Sequence, residues 1–193
     1  MNAFIPDRNF AFTILNKYVQ SESLIRHALT MEAVMRYFAK LFCEKDVEKW
    51  AVIGLLHDID YEKYTDKHCL MVRDILSPYG FPEEYLRAIE SHGYKIMTNI
   101  EPIEIMEKVL YATDELTGLI SATVLLRPSK SIMDLKVSSV KKKWKQKSFA
   151  SGVNRDIIEE GAKMLGIKLD LLIENTIKGM QTEAEAIGLK GEL

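Results

Sequence analysis

Apolar residues recur at three- and four-residue steps through almost the whole chain, and no stretch sustains the alternation of a half-buried strand. That period predicts an all-α fold. A first helix covers 9–19. Ser21 or Ser23 stands where it can cap a second helix to about Cys43, with a stripe of Met31, Val34, Met35, Phe38, Leu41 and Phe42. His27 continues that stripe one turn earlier. Asp46 caps a third helix, whose stripe Val47, Trp50, Ala51, Gly54 leads to His57-Asp58. The run 51–56 has the composition of a buried strand, but the helical pattern upstream favours a helix.

Residues 60–66 read as a polar and aromatic loop. Thr65 or Asp66 then caps a helix carrying His68, Val72, Ile75 and Leu76, which stops at Ser77-Pro78-Tyr79-Gly80. Pro82, Glu83 and Glu84 open the next helix, with Tyr85, Ala88, Ile89 and His92 on one face. Pro102 opens a long helix with Ile103, Met106, Leu110, Asp114 and Thr117 along one side, broken at Arg127-Pro128-Ser129. A lysine-rich stretch (130–148) and two amphipathic helices (154–165 and 169–187, the second capped at Asp170) follow. The tail from Gly188 is expected to fray.

With 193 residues, 47% of them hydrophobic, the chain can bury one good core, and a single domain is expected. A net charge of −2 gives no sign of extended nucleic-acid binding or of a membrane surface. Cys43 and Cys69 make no disulfide framework, which fits a reducing compartment. Pro6, Asp7 and Arg8 fall where a signal peptide needs an apolar core, and no run reaches the roughly 18 apolar residues of a membrane span. The expected location is cytoplasmic; the oligomeric state is not legible.

His27, Asp58, His68, His92 and Asp114 each fall on an inferred apolar helix face, and His57 borders one. A buried imidazole or carboxylate is costly unless satisfied, and a shared cation satisfies several at once. Six nitrogen and oxygen ligands exceed one tetrahedral site. They fit two metals sharing a carboxylate at about 3.5–4 Å. With no thiolate recruited, the set suits Fe, Mn, Co, Ni or Zn.

The order His27 … His57-Asp58 … His68 … His92 … Asp114 on consecutive helices resembles the HD-domain superfamily of metal-dependent phosphohydrolases, over roughly residues 20–125. The minimal family pattern matches His27, His57, Asp58 and Asp114. His68 and His92 match the extra histidines of binuclear members, in which the Asp of the pair bridges the metals; here that is Asp58. The resemblance implies an all-α bundle of about five core helices, extended here by the C-terminal segment 130–187. Ser91-His92-Gly93-Tyr94-Lys95 is followed by no Gly-Tyr-Pro motif, so a cyclic-dinucleotide substrate is not supported. Nucleotidase-type members place a Glu three residues after the Asp of the pair; here Tyr61 stands there, flanked by Asp60 and Glu62.

The expected function is therefore a phosphohydrolase acting on a small phosphorylated molecule or nucleotide through a hydroxide activated by two metals. Asp58 holds the metals and Asp60, closest to the apolar end of the third helix, is the candidate general acid, ahead of Glu62. Lys143, Lys147 and Arg155 are the candidate phosphate clamp, with Trp144 among them to stack or to anchor. Two other readings share the ligand set: a di-iron oxygenase of the same superfamily, and a regulatory module that binds metal or nucleotide without turnover.

Overall fold

The computed structural model describes residues 5–192. Among them are nine α-helices and no strand: α1 (Arg8–Tyr18), α2 (Glu22–Leu41), α3 (Val47–Leu56), α4 (Val72–Leu76), α5 (Glu83–Ser91), α6 (Ile105–Leu125), α7 (Val137–Trp144), α8 (Arg155–Met164) and α9 (Leu169–Gln181). The all-α expectation holds. No described helix is long and apolar enough to cross a membrane.

Helix α2 is the axis. It packs against α3, α6 and α9 at once, so it is buried over most of its circumference, from Ala28 through Met31, Val34 and Met35 to Ala39. Helix α3 is buried at every position from Trp50 to Leu56, which is why 51–56 carries no polar face. Gly54 permits the approach: a Cβ there would lie 2.6 Å from the Met31 carbonyl oxygen on α2.

Helix α6 starts on a capping box in which the Glu104 and Glu107 side chains each accept from the other's backbone N–H. Glu107 also accepts from Arg87 of α5 at 2.7 Å, tying two site-bearing helices together. Along its length α6 lies between α2 and α8. A Cβ at Gly161 of α8 would lie 2.5 Å from both Cα and Cβ of Ala112, so these helices touch backbone to backbone.

Four expectations need correction. His68 is not on a helix: Thr65–Lys67 is a single 3₁₀ turn, His68 follows in extended backbone, and α4 begins only at Val72. Leu41 and Ile103 lie outside the core, at 46% and 57% exposure, because each sits at a helix end beyond its packing partner. Ser21 and Asp46 hold the N-cap positions of α2 and α3 without a capping side-chain bond, and Asp170 lies inside α9, whose N-cap is Lys168. The tail does not fray at Gly188, since Leu189 is buried and its carbonyl accepts from the Ile132 N–H at 2.8 Å.

The α6–α8 contact leaves no room for a methyl group. Gly161→Ala is expected to destabilise the fold by about 1–3 kcal/mol, the usual range for overpacking. The melting temperature should fall by about 2–4 °C per kcal/mol. An unchanged melting temperature would contradict the close approach.

Candidate metal centre

Three of the four imidazoles are oriented by an acceptor behind the ring. His57 follows the last turn of α3, where carbonyls lack intrahelical partners, and its Nδ1 donates to the Gly54 carbonyl at 2.8 Å. His92 repeats the device at the end of α5, its Nδ1 donating to the Ile89 carbonyl. His68, without a helix, donates from Nδ1 to Asp60 Oδ1 at 2.8 Å, and Asp60 Oδ2 accepts from the Met71 N–H at 3.2 Å. Each partner is an acceptor, so Nδ1 carries the proton and the neutral ring presents an Nε2 lone pair.

Those lone pairs converge. The Nε2 atoms of His68 and His92 are 3.1 Å apart, and those of His27 and His57 are also 3.1 Å apart. Asp114 Oδ1 lies 3.0 Å from His27 Nε2 and 3.3 Å from His57 Nε2. Asp58 stands between the two halves. Its Oδ1 is 3.3 Å from His68, 3.5 Å from His92 and 3.5 Å from His57, and its Oδ2 is 3.6 Å from His27. Ligands bonded at about 2.0–2.2 Å to one tetrahedral or octahedral ion stand about 3–3.5 Å from each other, and these spacings fall close to that range. Lone pairs facing lone pairs and carboxylates need positive charge between them. The residues therefore fit a cation: His27, His57, Asp58 and Asp114 around one position, and His68, His92 and Asp58 around a second.

Without a cation, protons supply that charge. Burial alone would push the Asp58 and Asp114 carboxyls up, but the adjacent imidazoles hold both below the usual carboxylate range. Burial likewise opposes protonation of the histidines, and their partners overcome it. Asp60 and then Cys69 and Asp58 bring His68 up to about 9, Cys69 and Asp58 raise His92, and Asp114 and Asp58 raise His27.

The centre forms the floor of a cavity of about 500 Å³. Tyr61, Thr65, Ile96, Met97, Tyr111 and Ile157 form much of its wall, with Glu115 and Gly118 on the α6 side. Among the described residues no lysine or arginine borders it. Glu115, beside Asp114, has its carboxyl raised by burial and by the Asp114 charge, while Oε2 accepts from the Asn154 N–H at 3.2 Å.

The other sequence-derived candidates lie elsewhere. Asp60 is fully buried behind His68 and does not border the cavity. Glu62 is at the surface, where its Oε2 accepts from the Gln20 and Ser21 N–H groups. The basic segment 130–148 does not border the cavity; the turn after it does, where Gly152 borders the wall and the Asn154 N–H donates to Glu115. Arg155 is spent on that turn, donating to the carbonyls of Trp144 at 3.0 Å and Phe149 at 2.7 Å. Lys143 lies over the Phe149 ring, and Lys147 is solvent-exposed. None of the three forms a phosphate clamp at this cavity. Cys69, Tyr111, Glu115 and Gly118 are functional-site neighbours that the sequence pattern does not single out, although Tyr111, Glu115 and Gly118 succeed one another at four- and three-residue steps on α6. Cys69 Sγ is 3.5 Å from His92 Nε2 and 4.0 Å from its Nδ1, so the sulfur lies against the ring rather than along the lone pair.

Residues 24–119 match the family model described as HD domain, which supports placing this segment in the HD superfamily. HD domains typically bind divalent metals, and the family includes metal-dependent phosphohydrolases. No curated protein and no solved structure matches the chain.

Two outcomes follow. Asp60→Asn weakens the acceptor that orients His68, and losing such a support typically costs 10–100-fold in metal affinity. Elemental analysis of the dialysed variant should find less metal per chain than in the parent. Two retained ions with turnover lost would instead make Asp60 a proton donor. The second outcome concerns pH. His68 binds its proton more tightly folded (about 9) than unfolded (6.5), so its contribution to metal-free stability is complete below about pH 6.5 and is lost as pH rises through about 9. His27 and His92 shift in the same direction. Over that window the chelator-treated protein should melt progressively lower while its affinity for Zn²⁺ or Mn²⁺ climbs, because binding displaces those protons. A metal-free melting temperature flat from pH 6.5 to 9 would contradict the site electrostatics.

Proposed function

With an HD domain over residues 24–119 as the premise, we propose that this protein is a metal-dependent phosphohydrolase acting on a small phosphate ester. The observation that carries this reading is the convergence of imidazole Nε2 atoms on both oxygens of Asp58 at the floor of an accessible cavity. Two bound divalent ions would supply neutralisation of phosphoryl oxygens and a water of lowered pKa.

The chain's own residues do the rest. His27, His57 and Asp114 would hold one ion and His68 and His92 the other, with Asp58 within reach of both. Gly54, Ile89 and Asp60 keep three rings in the tautomer that offers Nε2. Because no ammonium or guanidinium of the described residues borders the cavity, the positive counterpart of a phosphoryl group would be the ions held at the floor. The apolar and aromatic wall limits water and accommodates the organic part of the ester. Glu115 replaces Asp60 as the carboxyl group beside the floor, held by Asn154 where it can serve the leaving group.

Metal analysis of the purified protein, followed by a phosphomonoesterase and phosphodiesterase screen with added ions, tests the proposal. About two ions per chain are expected, with phosphate release that requires them and disappears in Asp58→Ala. Glu115→Gln should lower kcat by about 10²-fold with both ions retained. Metal-dependent oxygen consumption without phosphate release, or two bound ions without turnover of any ester, would overturn it.

A further inference from the structure

A second concavity of about 430 Å³ opens beside the first, and His27 and Gly118 border both. It runs between α2 and α6, bordered by Ser23 and Arg26 on one side, Ser121 and Leu125 on the other, and closed by the chain at 187–189. Helix α6 lays one stripe through the pair at helical steps. Tyr111, Asp114 and Glu115 follow the cavity, Gly118 marks the junction, and Ser121 and Leu125 follow the groove. Asp114 to Ser121 spans about 10 Å along the helix.

Gly118 is the unusual residue on that stripe. Glycine inside a helix is destabilising relative to alanine. Gly54 and Gly161 are explained by backbone or packed side chains within 2.6 Å of where a Cβ would stand. At Gly118 the nearest atom to such a Cβ is Val153 Cγ2 at 3.7 Å, an ordinary contact, so no neighbour requires the glycine. What the missing side chain provides is an open saddle between the two concavities.

Arg26 brings a cation to the groove that the cavity lacks. Its carboxylate partner is Glu22 at 3.8 Å, a long pair between two exposed side chains that contributes little. The guanidinium stem lies alongside Gly188, whose left-handed backbone carries no side chain to displace it.

We propose that this groove is a second subsite, in which Arg26 holds a distal anionic group of the substrate while the body of the molecule passes over Gly118. The substrate class is an elongated phosphate ester with a second negative charge, separated from the reacting phosphoryl group by the length needed to pass Gly118 and reach Arg26. Only the identity of the reacting end rests on the function proposed above; the groove, the saddle and the cation do not.

The test uses the full-length, metal-supplemented protein and uncleavable probes, so turnover is not needed. Calorimetry compares methylphosphonate with a graded series of polymethylene bisphosphonates and a matching series of dicarboxylates. One bisphosphonate length should bind about tenfold tighter than methylphosphonate, the scale of one charge-assisted contact. Arg26→Gln should abolish that advantage. Gly118→Ala should abolish it as well, while the melting temperature rises by about 2–4 °C. If no bisphosphonate outbinds methylphosphonate, or Arg26→Gln leaves the advantage intact, the subsite is overturned and the phosphohydrolase reading stands. A lower melting temperature in Gly118→Ala would assign the glycine to packing and remove the saddle. Should methylphosphonate fail to bind while a dicarboxylate binds through Arg26, the subsite stands and the phosphoryl assignment falls. Silence from both series overturns the subsite.

Discussion

Everything at the floor of this molecule depends on one electrostatic demand: imidazole nitrogens and two carboxylates face one another at 3.0–3.6 Å and require positive charge among them. An ordinary core histidine is satisfied by one carbonyl and then forgotten. Here Gly54, Ile89 and Asp60 satisfy one face of three rings, and in doing so commit the other face to a lone pair. A fold that buries such groups together has either to protonate them or to bind a cation. Protonation is the metal-free answer, visible in raised imidazoles and lowered carboxyls. A pair of divalent ions would answer the same demand while leaving room for chemistry.

The helical scaffold exists to aim these groups. Two helices, α3 and α5, end just before their ligand-type histidine, so a last-turn carbonyl lies within reach to orient each ring. The axial helix α2 contributes His27 and the long α6 contributes Asp114, Glu115 and Gly118 from one stripe. Close packing holds these helices in register: α3 rests on α2 through Gly54, and α6 rests on α8 through Gly161. His68 is the exception. It has no helix beneath it, and a fully buried carboxylate supplies the rigidity instead.

Much of this was legible in the sequence because the signal was physical. Asp58, Asp114 and four histidines on or beside inferred apolar helix faces are improbable unless they share a partner, and the structure brings all six side chains together. The helix period identified eight of the nine described helices, missing α7, but drew the last to 187 where α9 ends at Gln181. It failed at His68, where a 3₁₀ turn breaks the pattern that Val72, Ile75 and Leu76 seemed to extend backwards. Roles that depend on direction were not legible. Asp60 follows Asp58 by two residues, yet its carboxylate turns behind His68 instead of into the cavity. Arg155 looks like a phosphate binder by composition, but the backbone turn at 145–153 consumes its donors. Glu115 and Gly118 carry no signal in the apolar pattern: each follows Asp114 or Thr117 by one residue, and only the fold shows that they border the cavity.

The most direct test of the central claim is anomalous scattering from crystals of the metal-loaded protein, collected at the absorption edge of the ion found by elemental analysis. The account requires two anomalous peaks at the cavity floor about 3.5–4 Å apart, each within bonding distance of an Asp58 oxygen, one beside His27, His57 and Asp114 and the other beside His68 and His92. A floor without anomalous signal in protein shown to carry metal, with the four imidazoles bonded to one another or to water, would contradict it.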